Sequence, residues 1–185
     1  MTFDGTNAGR PVSESQVVMA RQMMPNDANP WGAVHGGTIM KMVDEAAGSA
    51  AIRHSRCRVA TAAVDYMSFL HPVQVGDLVT VMASVNDVGR TSMEVGVRVE
   101  AENMLTGRRY HTSSAYVVMV ALDDEGNPRS VPPVIPETAD HERRMAAAKV
   151  RRTQRKVVQA MLKRSDEDHA VPPPVSSDLV PAQHE

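Results

Sequence analysis

"HGGTIMKMVDEAAGSAA", residues 35–51, decides how this chain is read. Ile39, Val43, Ala46 and Ala50 recur at helical spacing, and Met40, Ala47 and Ala51 widen the same face. The spacing predicts a helix from Gly36 or Gly37 to about His54, buried on most sides because so little of it is polar. In its middle sits one carboxylate, Asp44, with Glu45 about 100° further round the helix, where it is expected to pair with a surface cation. A lone Asp on a helix is ordinarily a solvated residue, so an apolar helix that carries one asks for a reason.

Working outward, "PNDANPWGAVHGG" (25–37) is dense in turn residues and reads as a loop. "QVVMARQMM" (16–24) before it is a strand candidate, and residues 1–14 read as a flexible N-terminus. After the helix come "RVATAAVDYM" (58–67), a Pro72–Gly76 break, and "LVTVMASVNDV" (78–88). In "GRTSMEVGVRVEA" (89–101), Thr91, Met93, Val95, Val97, Val99 and Ala101 alternate with polar or small residues, which is the period of a half-buried strand. "NMLTGRR" is a hairpin turn and "YHTSSAYVVMVAL" (110–122) the last strand. One strand, one long helix and four consecutive strands predict an α+β fold, an antiparallel sheet with the helix on one face. The core domain spans 15–137, residues 138–165 form a basic helix capped by Thr138 or Asp140, and 166–185 read as a disordered tail.

The whole chain has 185 residues and a formal charge of −2. Residues 143–164 hold nine Lys or Arg and no acid, which leaves the rest at −11. A thin stripe of Met145, Val150, Val157, Met161 and Leu162 makes this segment a peripheral helix docking on the body or a neighbour rather than a nucleic-acid binder. Aromatic residues are 3 % of the chain against thirteen methionines, so the interior is read as Met-filled. Cys57 is the only cysteine, which excludes an intrachain disulfide. Neither a secretory leader nor an apolar run of about 20 residues is present, so a cytoplasmic protein with no membrane insertion is expected. No HExxH, CxxC, GxSxG or GxGxxG pattern occurs, so no metal is expected.

"DANPWGAVHGGTIMKMVDEA", "FLHPVQVGDLV" and "GRTSMEVGV" together resemble the hotdog-fold acyl-CoA thioesterases, above all the cytosolic acyl-CoA hydrolases of the brain type and their short bacterial single-domain relatives. The resemblance covers about residues 16–136, and Pro30–Trp31 departs from it, where smaller residues are expected. It implies a curled antiparallel sheet wrapped around the central helix, and hydrolysis of acyl-CoA. It implies no separate cofactor, coenzyme A being part of the substrate, and Asn29 and Asp44 as the active-site polar pair.

Residue chemistry fits that expectation. Helix N-termini present unpaired N–H groups, and Gly36 and Gly37 let a carbonyl oxygen approach them closely. Gly37 is thus the expected backbone donor to a developing oxyanion, with Asn29 adding an amide. Asp44 is the candidate general base or nucleophile, its pKa raised by partial burial. His35 is read as holding the loop rather than as a base. Arg58 and the turn residues Arg90, Thr91 and Ser92 are candidates for the CoA phosphates.

Gly37 and Asp44 lie seven residues apart, about 11 Å along a helix axis, too far to serve one thioester from one helix. A homodimer with sites at its interface is therefore the expected minimal unit. The resemblance implies further assembly into tetramers or hexamers, with a hexamer, a trimer of dimers, as the expected state. A non-catalytic acyl-CoA-binding regulator and a hydratase are the competing readings, though no helix-turn-helix and no Asp–His dehydratase motif is evident.

Overall fold

The computed structural model describes residues 8–168. Its compact unit is Met1–Val150, and a second unit, Arg151–Glu185, takes up the end of the chain. Strand β1 (Arg10–Pro11) leads into a single helical turn α1 (Val12–Ser15), followed by β2 (Val17–Gln22) and a 3-10 turn at Pro25–Asp27. Helix α2 (Gly36–Ser55) comes next, then β3 (Arg58–Phe69), β4 (Leu78–Val88), β5 (Ser92–Asn103) and β6 (Arg108–Leu122). β7 (Val134–Ile135) and α3 (Ala139–Asp168) complete the order.

The five long strands form one antiparallel sheet ordered β2-β4-β5-β6-β3. β4, β5 and β6 are joined by short turns, whereas β2 and β3 occupy opposite edges. The connection between them must therefore cross the width of the sheet, four strand spacings or about 19 Å. The 20-residue α2, about 30 Å long, makes that crossing and covers the concave face. Ala46, Ala47, Ala50 and Ala51 are fully buried there, and their small side chains let the helix sit close against Val81, Val85, Val95, Val99, Val117 and Met119. Each buried valine contributes roughly 1.5 kcal/mol through removal from water. The alternation from Met93 to Ala101 turns those odd-numbered side chains toward α2.

Several expectations need correction. Met40 is exposed, and Met42 takes its place in the core. The helix buries one face only: Lys41, Asp44, Glu45, Ile52 and Arg53 are exposed in the single chain. Residues 10–15 are ordered rather than flexible, because Val12 and Ser15 are buried and β1 pairs in parallel with β7. The Ser15 hydroxyl accepts from Val85 N–H, tying this segment to β4. The expected flexibility of 1–7 and the tail from 169 onward lie outside the described residues, while 166–168 belong to α3. Thr138 is the cap of α3, its hydroxyl accepting from His141 N–H at 3.2 Å. Met145 packs against the core, and Val157, Met161 and Leu162 are exposed. Among the described residues no helix is long and apolar enough to cross a membrane.

Candidate active site

Asn29 sits in a tight loop, 29–33. Its backbone N–H donates to Ala33 C=O at 2.7 Å, and its side-chain Oδ1 accepts from Trp31 N–H at 2.9 Å. Gly32 closes the loop at φ +84°, a conformation glycine adopts without steric cost. With Oδ1 engaged, the amide NH2 of Asn29 is the end turned to other partners. Val34 N–H donates to Val73 C=O at 2.8 Å, laying this loop on the 70–77 loop. The latter is pinned from beneath: the buried Asp77 carboxylate accepts from Gln74 N–H and from the Tyr110 hydroxyl. Burial, and then the hydrogen bond to Asp77, push the Tyr110 phenol up to about 12.

His35 is the N-cap of α2. Its Nδ1 accepts from Gly37 N–H at 3.0 Å, and its C=O accepts from Thr38 N–H at 2.9 Å. The expected donor, Gly37, is therefore already used within the helix start. Gly36 N–H makes no hydrogen bond among the described residues and is the donor left at the helix end. The hydrogen bond from Gly37 N–H makes the His35 side chain the cap of the helix. Asn29 and Gly36 line one groove of about 320 Å³, together with Ile39, Phe69, Leu70 and His71.

Asp44 lies elsewhere. It is exposed in the single chain rather than partly buried, and its Oδ1 accepts from the Thr61 hydroxyl at 2.6 Å. Thr61 precedes a bulge in β3, where the register against β6 shifts between Thr61 and Ala63. Bulges re-aim side chains in this way and recur beside active sites. Thr61 was not singled out from sequence, where it is one threonine in an Ala/Val strand; only the bulge and the contact with Asp44 mark it. Glu45 pairs with Lys41 at 3.8 Å. Eight residues separate Gly36 from Asp44, about 12 Å along α2, so the two lie well apart within one chain.

Arg58, Arg90, Thr91 and Ser92 gather at one end of the sheet. Arg58 is opposite Leu122 on one side of β6, and Ser92 is opposite Val120 on the other. Two strand spacings, about 10 Å, separate them. Thr91 C=O accepts from Ala121 N–H and Arg90 C=O from Val131 N–H, so the turn is fixed while the Arg58 and Arg90 side chains are exposed. Among the described residues no group of three or more His, Cys, Asp or Glu gathers to hold a metal ion.

A sequence model of the thioesterase superfamily matches residues 32–107. The uncharacterized acyl-CoA thioester hydrolase YkhA of Bacillus subtilis is 36 % identical over 152 residues, covering 80 % of this chain and 88 % of its own length. This chain belongs to the thioesterase superfamily. Its hotdog fold is shared with solved members of that superfamily. An apo-hexameric acyl-CoA thioesterase has a TM-score of 0.80 at 37 % identity, covering 83 % of this chain and 98 % of that one. An acyl-CoA hydrolase from Staphylococcus aureus, solved with butyryl-coenzyme A, coenzyme A and coenzyme A disulfide, has a TM-score of 0.81 at 34 % identity, covering 88 % and 99 %. Structures of that hydrolase also exist with an asparagine, an aspartate and a threonine each changed to alanine, at positions spaced by 15 and then 17 residues. The mouse cytosolic acyl coenzyme A thioester hydrolase is 36 % identical over 147 residues, 78 % of this chain. The chain spans 39 % of the length of that relative.

Proposed function

We propose that this protein is an acyl-CoA thioesterase that hydrolyses acyl-CoA to a free acid and coenzyme A. The observation that carries the reading is the Asp44–Thr61 contact at 2.6 Å on the exposed side of α2. Asn29, Asp44 and Thr61 are separated by the same 15 and 17 residues as the three positions replaced in the staphylococcal hydrolase.

The site is shared between two copies of the chain. β3 is a 12-residue edge strand, paired on one side only, and Asp44 and Thr61 are exposed in the single chain. A two-fold partner brings its Asp44 and Thr61 to the Asn29–Gly36 half of the first chain. There the Gly36 N–H and the Asn29 amide donate to the thioester oxygen. Asp44, oriented by Thr61, takes a proton from the attacking water as the C–O bond forms, or attacks the carbonyl itself to give a mixed anhydride that water then hydrolyses to the free acid and the Asp44 carboxylate. Collapse breaks the C–S bond, and the CoA thiolate leaves and is protonated. His35 keeps the helix start in shape by occupying the Gly37 N–H, and Arg58, Arg90, Thr91 and Ser92 receive the CoA phosphates. No metal or separate cofactor enters this scheme. The dimers assemble as a trimer of dimers, in a cytoplasmic protein; relatives solved as hexamers support the higher state.

The test is release of free thiol from acyl-CoAs of graded length. Asp44→Asn keeps shape and removes basicity, so kcat should fall at least about a hundredfold in a folded protein. Near-normal turnover by that variant would falsify the assignment of Asp44. Binding without thiol release by the wild type would make the protein the regulator instead.

A further inference from the structure

Within the groove that holds Asn29 and Gly36, the walls are apolar at Val34, Ile39, Phe69, Leu70, Pro72 and Val73. His71 stands among them, exposed in the single chain, and among the described residues is the only ionisable side chain lining the groove. Its orientation is fixed from two sides. Nδ1 lies 3.0 Å from His111 C=O, and since a carbonyl only accepts, Nδ1 carries the proton. The ring also meets Tyr110 edge-on, with centroids 6.1 Å apart, and Tyr110 is itself anchored to the buried Asp77. In the neutral ring the second nitrogen, Nε2, is then an acceptor. Ser113, the hydroxyl-bearing residue of the lining, is 1 % exposed, and its C=O is taken by His111 Nε2–H at 2.9 Å.

We infer that His71 is a specificity-determining residue: its Nε2 lone pair makes the groove select acyl groups that carry a hydroxyl over plain alkyl chains of the same length. The inference rests on the thioesterase reading above, with the acyl chain lying in the groove beside the carbonyl donors. A plain chain displaces water from Nε2 and leaves the acceptor unpaired, whereas a hydroxyl on the chain restores the bond. A site that loses one hydrogen bond in this way discriminates by roughly tenfold or more. His71 acts on the substrate away from the reacting carbon, so the effect belongs in KM more than in kcat.

The experiment compares hydroxyacyl-CoAs, with the hydroxyl at successive carbons, against acyl-CoAs of equal length in wild type, His71→Leu and His71→Gln. One hydroxyl position should be preferred by about tenfold in kcat/KM by the wild type. His71→Leu should erase that preference by improving the plain chain and weakening the hydroxylated one. His71→Gln, which keeps an acceptor, should retain part of it. An unchanged ratio in His71→Leu overturns the inference, and so does an equal loss on every substrate. Equilibrium binding of the corresponding thioether analogues reads the same preference without turnover. A wild type that releases no thiol but still binds the hydroxylated analogue more tightly therefore sinks the thioesterase reading and spares this one.

Discussion

Two inactive variants should restore each other's activity if the site is shared between chains. In one chain Gly36 and Asp44 are about 12 Å apart along α2, while a carbonyl donor and a base acting on the same thioester each need to be within about 3 Å of it. Asp44 cannot close that distance, because its side chain is short and already held by Thr61 at 2.6 Å. In a two-fold dimer each site takes Asn29 and Gly36 from one chain and Asp44 from the other. Mixing Asn29→Ala with Asp44→Asn then yields mixed dimers in which one site carries both lesions and the other carries neither. Random exchange makes half of the dimers mixed, each with one intact site of two, so about a quarter of wild-type activity should return. The assay is thiol release from an acyl-CoA after partial denaturation and refolding of an equimolar mixture. Exchange is verified with a mass-tagged copy. If exchange is complete and activity stays at the level of the separate variants, the shared site is wrong, and Asn29 and Asp44 act within one chain or not at all.

Three further outcomes follow from particular contacts. His54 is fully buried, its Nε2 donates to Pro132 C=O at 2.9 Å, and its Nδ1 has no partner among the described residues; desolvation lowers its pKa below the ordinary 6.5. The unfolded chain then binds a proton that the native state refuses, so stability is full above pH 6.5 and falls as the pH drops through and below it. Melting temperatures from pH 8 to 5 should fall less steeply for His54→Gln, and parallel curves would show that His54 does not titrate with unfolding. Tyr110→Phe removes the hydroxyl that satisfies Asp77 and should cost about 1–3 kcal/mol in urea denaturation, whereas no change would mean that water replaces it. Arg90→Ala should raise KM for acyl-CoA while sparing a truncated thioester without the nucleotide, and equal effects on both substrates would remove Arg90 from the phosphate site.

By itself the sequence determined the local elements. The period of residues 39–51 requires a helix with an apolar face, and the period-two run from Met93 to Ala101 requires a strand, because each pattern is produced by neighbours along the chain. It also placed Asp44 on that helix and Asn29 in the loop before it, and the residues around them carried the family likeness. Tertiary structure decided what depends on residues far apart in sequence. That β3 is an edge strand follows from the pairing order of five strands, and that Thr61 meets Asp44 follows from how β3 is laid beside α2. No periodicity reports either, since both are set by partners 17 or more residues away. Which N–H is engaged at the helix start was illegible for a related reason. Two adjacent glycines look equivalent in sequence, and only the rotamer of His35 decides that Gly37 N–H is occupied, while Gly36 N–H makes no hydrogen bond among the described residues.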